Sequence, residues 1–210
     1  MALKVNWRGV YPAVPTQFHD DLSLDISNTK KHVQCLLNEG IHGLVMLGTI
    51  GENCSLRMEE KVEVLKAIVE VAKGKVPILT GVSEYTTQGA CETVAAAKEV
   101  GVDGIMLMPA MVYKSDEREN MTHYRTVSTS TDLPIMCYNN RPVYGVDMSP
   151  KILKSWRMLK ISFALKKHQG MRGSSRTLSI LWVIVLLFLP VWMISHSKVC
   201  CWGARVGFLA

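Results

Sequence analysis

Residues 39–44 read EGIHGL, and residues 99–105 repeat the pattern as EVGVDGI. In both stretches a helix-like segment ends near a glycine, and an apolar run begins at a second glycine. A glycine is typical of a helix C-terminus, and a short apolar run is typical of a strand that is buried on both faces. The repeat therefore predicts β-α units with parallel strands.

The same alternation extends outward from this repeat, from Gly9 to Trp156. Short apolar runs predict five strands: residues 9–14, 43–47, 76–81, 104–108 and 134–138. Amphipathic or alanine-rich stretches predict four helices: residues 26–39, 58–73, 87–100 and 116–130. The predicted fold class is α/β, a (β/α)₈ TIM barrel truncated after about five β-α units, because a whole barrel needs about 250 residues.

The composition changes at Trp156. Eight of the 24 basic residues and none of the 18 acidic residues lie in residues 157–210, so residues 1–156 hold 16 basic and 18 acidic residues. The net charge of +6 therefore belongs to the tail, and the chain lacks the basic face that predicts nucleic-acid binding. We predict a partial barrel domain over residues 1–156 and a tail that is no native domain over residues 157–210.

The cysteines and the N-terminus favour a reducing, cytoplasmic setting. None of the six cysteines forms a C-x-x-C pair or a zinc-type pattern with histidine, and the first residues lack an apolar signal run. We expect the first four cysteines to be free thiols that pack as small apolar groups. No metal site is predicted.

Two motifs lie at the ends of predicted strands. GTIGEN (residues 48–53) ends the second strand and CYNN (residues 137–140) ends the fifth, while GVYPAVPTQF (residues 9–18) forms the first. Together they resemble the dihydrodipicolinate synthase / N-acetylneuraminate lyase family of class I aldolase-type barrels. The resemblance covers residues 6–156, and both motifs fall at the C-terminal ends of strands, where such barrels have their active sites.

The resemblance implies a lyase or synthase that acts on pyruvate or a related 2-oxo acid through a lysine Schiff base, without metal or organic cofactor. By similarity, Thr49 belongs to a hydroxyl relay and Tyr138 passes protons to and from the substrate carbon. Gly48, Thr49, Ile50 and Gly51 form the substrate-binding turn, where sharp backbone bends let N–H groups hold a carboxylate. The family commonly forms homotetramers.

Several positions depart from the synthase pattern. Ile50 stands where the family often has a second threonine. Val112 aligns with a tyrosine that reaches into a neighbouring subunit, with Tyr113 one residue further along. Val143 falls where synthases have a substrate-binding arginine, and Arg141 more naturally replaces a turn proline. These changes favour another 2-oxo acid or a cyclic imine, and the run of residues 138–147 is similar to relatives that deaminate pyrroline hydroxycarboxylate.

The resemblance implies a Schiff-base lysine on the sixth strand, but no recognisable family motif surrounds any lysine after Trp156. Lys160, Lys166 and Lys167 are candidates by position only, and no buried-strand pattern precedes them. Residues 157–170, decoded one frame over, permit the peptide DVENFVCIKEASGD, and residues 181–193 permit VGDRFALFAGVDD. Both resemble family phrases in the family's order. We therefore infer a frameshift near Trp156, and we expect the chain as written to be inactive.

Two other functions stay open. Residues 178–194 form a 17-residue apolar run that contains Pro190, at the lower limit for a membrane span. A membrane-anchored, non-enzymatic protein is therefore one alternative, although the frameshift explains the run without a membrane. A pseudo-enzyme that caps intact homologues is the other.

Overall fold

The structure is a computed structural model that describes Val5, residues 8–110, 112–140 and 144–146, and the backbone of residues 163–167. Four α-helices lie in these ranges: α1 (Ile26–Asn38), α2 (Met58–Ala72), α3 (Thr87–Val100) and α4 (Glu117–Thr129). The strands are β1 (Leu44–Met46), β2 (Ile78–Val82), β3 (Gly104–Leu107), β4 (Ile135–Asn139) and β5 (Phe163–Lys167). Helices and strands alternate as the sequence predicts up to β4.

The five strands form one parallel sheet in the order β1-β2-β3-β4-β5. Alternate residues of each strand point to opposite sides. On one side, Ile105, Leu107 and Cys137 pack with α3 and α4; on the other, Met106 and Met136 pack with further strand residues. All described strand positions of β1 to β4 are buried, as expected for strands covered on both faces. The parallel β-α architecture predicted from the sequence is confirmed.

The helix ends follow local side-chain chemistry. Helix α3 begins after Thr86, whose side chain accepts a hydrogen bond from the N–H of Gly89, and it ends at Gly101 with a φ of 96°. Helix α4 begins with a capping box in which Asp116 and Glu119 each accept a hydrogen bond from the other's backbone N–H. These caps fix where each helix starts and stops, and so where each following strand enters the sheet.

The first predicted strand, residues 9–14, is wrong in extent. The structure has a single parallel β-bridge there, between Ala13 and Val45. The Val14 N–H donates to the Val45 carbonyl at 2.9 Å, and the Val45 N–H donates to the Pro12 carbonyl at 3.0 Å. Pro12 and Pro15 have no N–H, so they cannot extend the ladder on either side of this bridge.

Strand β5 contains two of the candidate lysines, Lys166 and Lys167, although no buried-strand pattern in the sequence precedes them. It pairs in parallel with β4 over five positions, from Ile135 with Phe163 to Asn139 with Lys167. Parallel pairing uses backbone groups, which any residue except proline offers. The apolar periodicity used to predict strands therefore missed it.

The cysteines are free where the structure describes them, but they are not all packed. Cys137 is buried, Cys91 is half-buried, and Cys35 and Cys54 are exposed. The apolar run 178–194 lies outside the described residues. Within the described part of the chain, no helix has both the length and the apolar character that crossing a membrane requires.

Candidate functional site at the C-terminal ends of the strands

The β1 loop, which we define as residues 47–53, follows strand β1 and contains the first motif. Leu47 and Glu52 have left-handed backbone, with φ of 49° and 58°. Residues other than glycine rarely adopt this conformation, and those that do concentrate at functional sites, where surrounding contacts hold them. The buried Thr16 hydroxyl supplies one such contact, because it donates to the Gly51 carbonyl oxygen at 2.8 Å.

The glycines of this loop act differently from the prediction. Neither Gly48 nor Gly51 has a positive φ, so the left-handed bends come from Leu47 and Glu52 instead. Gly51 is needed for close packing, since a Cβ there would lie 2.8 Å from the Leu47 nitrogen. A Cβ at Gly48 would meet only the Met106 side chain, at 3.4 Å. Gly51 thus excludes a side chain, whereas Gly48 leaves space.

Backbone donors are available on the loop. Within the ranges that the structure describes, no protein acceptor takes the N–H of Ile50 or Gly51. The Thr49 side chain and the Ile50 side chain, which is 43% exposed, lie at the solvent side of the loop. Successive backbone N–H groups of this kind form an anion-binding concavity. The carboxylate-binding role of residues 48–51 stays a prediction.

The β4 segment, residues 138–140 and 144–146, carries the second motif. Tyr138 is 5% exposed, and burial raises the pKa of its phenol. The Asn140 side-chain N–H donates to the Tyr138 oxygen at 3.0 Å, which opposes that rise. Asn140 is itself buried, and among the residues that the structure describes its Oδ1 has no hydrogen-bond partner. A buried amide oxygen without a partner costs free energy, so a donor on a ligand would stabilise it.

Tyr144 joins the two motifs. Its hydroxyl oxygen lies 3.1 Å from the Thr49 hydroxyl oxygen, within hydrogen-bond distance. Its ring meets the Tyr138 ring edge to face, with centroids 5.6 Å apart. Tyr144 was not among the predicted site residues, because it lies beyond the end of β4, outside both motifs. The one signal in the sequence is its place in the run 138–147, which resembles deaminating relatives.

Two residues that depart from the synthase pattern, Val112 and Tyr113, line a different cavity from the predicted site residues. Val112 and Tyr113 are both 63% exposed, and the Tyr113 hydroxyl donates to Glu119 of α4 at 3.1 Å. They line a cavity of about 160 Å³ that also includes His123 and that contains none of the predicted site residues. Arg141 and Val143 lie outside the described residues.

The lysine candidates differ in register. Lys166 of β5 pairs with Tyr138, and Lys167 pairs with Asn139. Neighbouring residues that pair in a parallel sheet take the same side of the sheet, so Lys166 has the register position of the site tyrosine. Lys160 lies outside the described residues. Among the described residues there is no cluster of three or more side chains suited to a metal ion.

Sequence comparison finds known proteins that are similar to this chain. The sequence model of the dihydrodipicolinate synthetase family matches residues 6–178, and so continues past Trp156. An uncharacterized DapA-like lyase from Rhizobium meliloti is 36% identical over 70% of this chain and 49% of its own length. A 4-hydroxy-tetrahydrodipicolinate synthase from Methanothrix thermoacetophila is 33% identical over 78% of this chain and 55% of its own.

Two solved structures share the fold. Dihydrodipicolinate synthase DapA-2 from Bacillus anthracis is 28% identical with a TM-score of 0.74, over 77% of this chain and 56% of its own. A prophage protein of the dihydrodipicolinic acid synthase family from E. coli, solved in complex with pyruvate, is 26% identical with a TM-score of 0.72, over 78% and 56%. The chain thus spans about half the length of the curated relatives it matches.

Proposed function

Because the chain belongs to the dihydrodipicolinate synthetase family, we propose that its site binds pyruvate or a related 2-oxo acid and forms a lysine Schiff base with it. The observation that supports this most is the hydroxyl contact between Thr49 and Tyr144 beside Tyr138. It brings proton-carrying groups to the strand ends, next to the N–H groups of the β1 loop. A 2-oxo acid needs both, a carboxylate site and a proton donor near its carbonyl.

We assign the amine to Lys166. A Schiff base forms when a deprotonated amine attacks the substrate carbonyl and water leaves, so the lysine must lie beside the proton-transfer groups. Lys166 has the register position of Tyr138, whereas Lys167 has the register position of Asn139, the next residue along β4. This register supports Lys166 over Lys167, a distinction that sequence position alone could not make.

Imine formation and turnover are separate expectations. The sequence predicts an inactive chain, since no family phrase surrounds a lysine. The register of Lys166 supports imine formation, but a closed barrel has eight β-α units, and the described sheet has five strands. We therefore expect the 210-residue polypeptide on its own to form the imine and to show no appreciable turnover.

Borohydride trapping tests the assignment. Borohydride reduces an imine to a stable amine, so pyruvate and borohydride together should leave one pyruvate-derived group on Lys166, located by mass spectrometry of peptides. Lys166→Arg should abolish this adduct, and the matched control Lys167→Arg should keep it. An adduct that persists in Lys166→Arg would refute the assignment. No adduct on the unchanged chain would refute Schiff-base chemistry here and leave the sequence-based prediction of an inactive chain standing.

A cyclic imino acid is the second candidate ligand. The run 138–147 resembles relatives that deaminate pyrroline hydroxycarboxylate, and Tyr144 of that run contacts Thr49. The unpartnered Oδ1 of Asn140 would accept a hydrogen bond from a ring hydroxyl. If this reading holds, a hydroxylated pyrroline carboxylate should slow pyruvate trapping at lower concentration than the same ring without the hydroxyl. Equal competition by the two rings would remove this candidate.

A further inference from the structure

Tyr144 has two contacts that converge on the site. Its hydroxyl lies 3.1 Å from that of Thr49, and its ring packs edge to face on the Tyr138 ring. Either hydroxyl can be the donor in the first contact. The three side chains come from the ends of two strands, β1 and β4, that other strands separate in the sheet. Tyr144 therefore connects groups that the sheet itself does not bring into contact.

Tyr113 is the other tyrosine that could serve as the second phenol beside Thr49, but its hydroxyl has a different hydrogen-bond partner. Tyr113 lies near the position from which family synthases extend a tyrosine into a neighbouring subunit. Here its hydroxyl donates to Glu119, six residues away on the same chain. That carboxylate also raises the pKa of Tyr113, since the hydrogen bond and the negative charge both favour the neutral phenol. Tyr113 is thus hydrogen-bonded to helix α4 of the same chain.

The protonation state of Tyr144 suits proton donation. Burial raises its pKa above the ordinary value of 10, the Thr49 hydrogen bond lowers it, and Tyr138 and Cys54 raise it. The phenol is therefore neutral near pH 7. A hydroxyl pair can pass a proton without net change: Thr49 gives its proton to the ligand, takes one from Tyr144, and water at the open cleft reprotonates Tyr144.

We propose that Tyr144 is the second phenol of the proton relay and that the chain supplies it from its own β4 segment, in place of a tyrosine from a neighbouring subunit. This inference rests on the proposed function for the direction of proton flow, but the contact itself does not. Tyr144 is a positioning residue in this proposal, since it acts through Thr49. The site's relay is then complete within one subunit.

The first experiment tests the contact without any ligand. In the chain labelled with ¹³C at tyrosine Cζ, the pH titration of each of the six tyrosines can be followed, and Tyr144→Phe assigns the Tyr144 signal. Thr49→Val removes a hydroxyl that stabilises the phenolate, so the pKa of Tyr144 should rise by about half a pH unit to one pH unit. Thr49→Ser should restore it, and Tyr113→Phe should leave it unchanged. An unchanged pKa in Thr49→Val would overturn the inference.

The second experiment tests the relay. An enamine formed from pyruvate exchanges its C3 protons with D₂O, which proton NMR measures directly. Tyr144→Phe should keep the borohydride-trapped adduct within about twofold and reduce the exchange rate about tenfold or more, in the range of general acid–base effects. Tyr113→Phe should exchange as fast as the unchanged chain. The inference is wrong if Tyr113→Phe slows exchange and Tyr144→Phe does not.

The two experiments separate the two proposals. If the unchanged chain forms no adduct, the proposed function fails, while the titration still decides whether Tyr144 and Thr49 share a proton. If the adduct forms and Tyr144→Phe exchanges at the full rate, the proposed function survives and the relay role of Tyr144 fails.

Discussion

The two sides of the site are held in different ways. The β1 loop is held by its backbone: left-handed residues at Leu47 and Glu52, a hydrogen bond from Thr16 to Gly51, and packing too close for a side chain at Gly51. In the β4 segment, side-chain contacts of Tyr138 with Asn140 and Tyr144 add to a backbone hydrogen bond from the Tyr144 N–H to the Asn140 carbonyl oxygen. A side chain added where backbone atoms approach closely forces the backbone to move, whereas removal of a hydroxyl from a side-chain contact keeps the shape and removes the hydrogen bond. Substitutions on the two sides should therefore fail differently.

Gly81→Ala should have the largest effect and should act on stability. A Cβ on Gly81 of β2 would lie 2.2 Å from the Leu47 carbonyl oxygen, a backbone atom that cannot move away alone. We expect a loss of about 3 kcal/mol in the free energy of unfolding, the upper end for overpacking, measured by urea denaturation. Gly48→Ala is the matched control, because its Cβ meets only the mobile end of Met106 and should cost less than about 0.5 kcal/mol. Equal losses would show that the β1 loop is not held by its backbone.

Tyr138→Phe should have the next largest effect and should act on chemistry. The substitution keeps the ring, and so the packing on Tyr144, while it removes the proton-carrying hydroxyl. We expect C3 exchange of pyruvate to fall about a hundredfold. The buried Asn140 N–H loses its acceptor, so the free energy of unfolding should fall by about 1 kcal/mol, well below the loss in Gly81→Ala. A loss of stability as large as that of Gly81→Ala would show that the β4 segment, like the β1 loop, is primarily structural.

This contrast also explains what the sequence could and could not predict. Helix α3 has the predicted bounds, because Thr86 and Gly101 mark its ends in the sequence. Thr49 and Tyr138 lie at strand ends, as their motifs indicate. Tyr144 was missed because its contact with Thr49 joins residues 95 positions apart, and no periodicity or helix cap in the sequence indicates such a contact. The extent of the first strand was overestimated and strand β5 was missed, because backbone pairing leaves little trace in side-chain patterns.

Asn140→Ala should produce a smaller effect on the same phenol. Burial raises the pKa of Tyr138, and the Asn140 N–H lowers it by stabilising the phenolate. Loss of that donor should raise the pKa further, by about half a pH unit to one pH unit, in a ¹³C tyrosine titration. The sign for stability follows: the unfolded chain loses this proton first as pH rises through about 10, so the folded state weakens above that pH.

The control for this prediction is Asn139→Ala, the neighbouring amide of β4. Asn139 follows Tyr138 directly in β4, so its side chain takes the opposite side of the strand, and its substitution should change the pKa of Tyr138 by less than about 0.2 pH unit. If both substitutions move the pKa alike, the Tyr138 phenol responds to general changes in burial, and Asn140 has no specific part in tuning it.

Ile50→Thr should have the smallest effect and tests whether the β1 loop acts through backbone alone. Ile50 is 43% exposed, so the free energy of unfolding should change by less than about 0.5 kcal/mol. A threonine hydroxyl beside the Ile50 and Gly51 N–H groups would add one hydrogen bond to a carboxylate. The pyruvate concentration that gives half-maximal trapping should then fall about two- to tenfold. Ile50→Val, which has the shape of threonine without the hydroxyl, should leave it unchanged. If threonine and valine behave alike, the backbone N–H groups of the β1 loop hold the carboxylate without help from a side chain. The β1 loop would then act through its backbone alone, whereas the β4 segment acts through the side chains of its tyrosines.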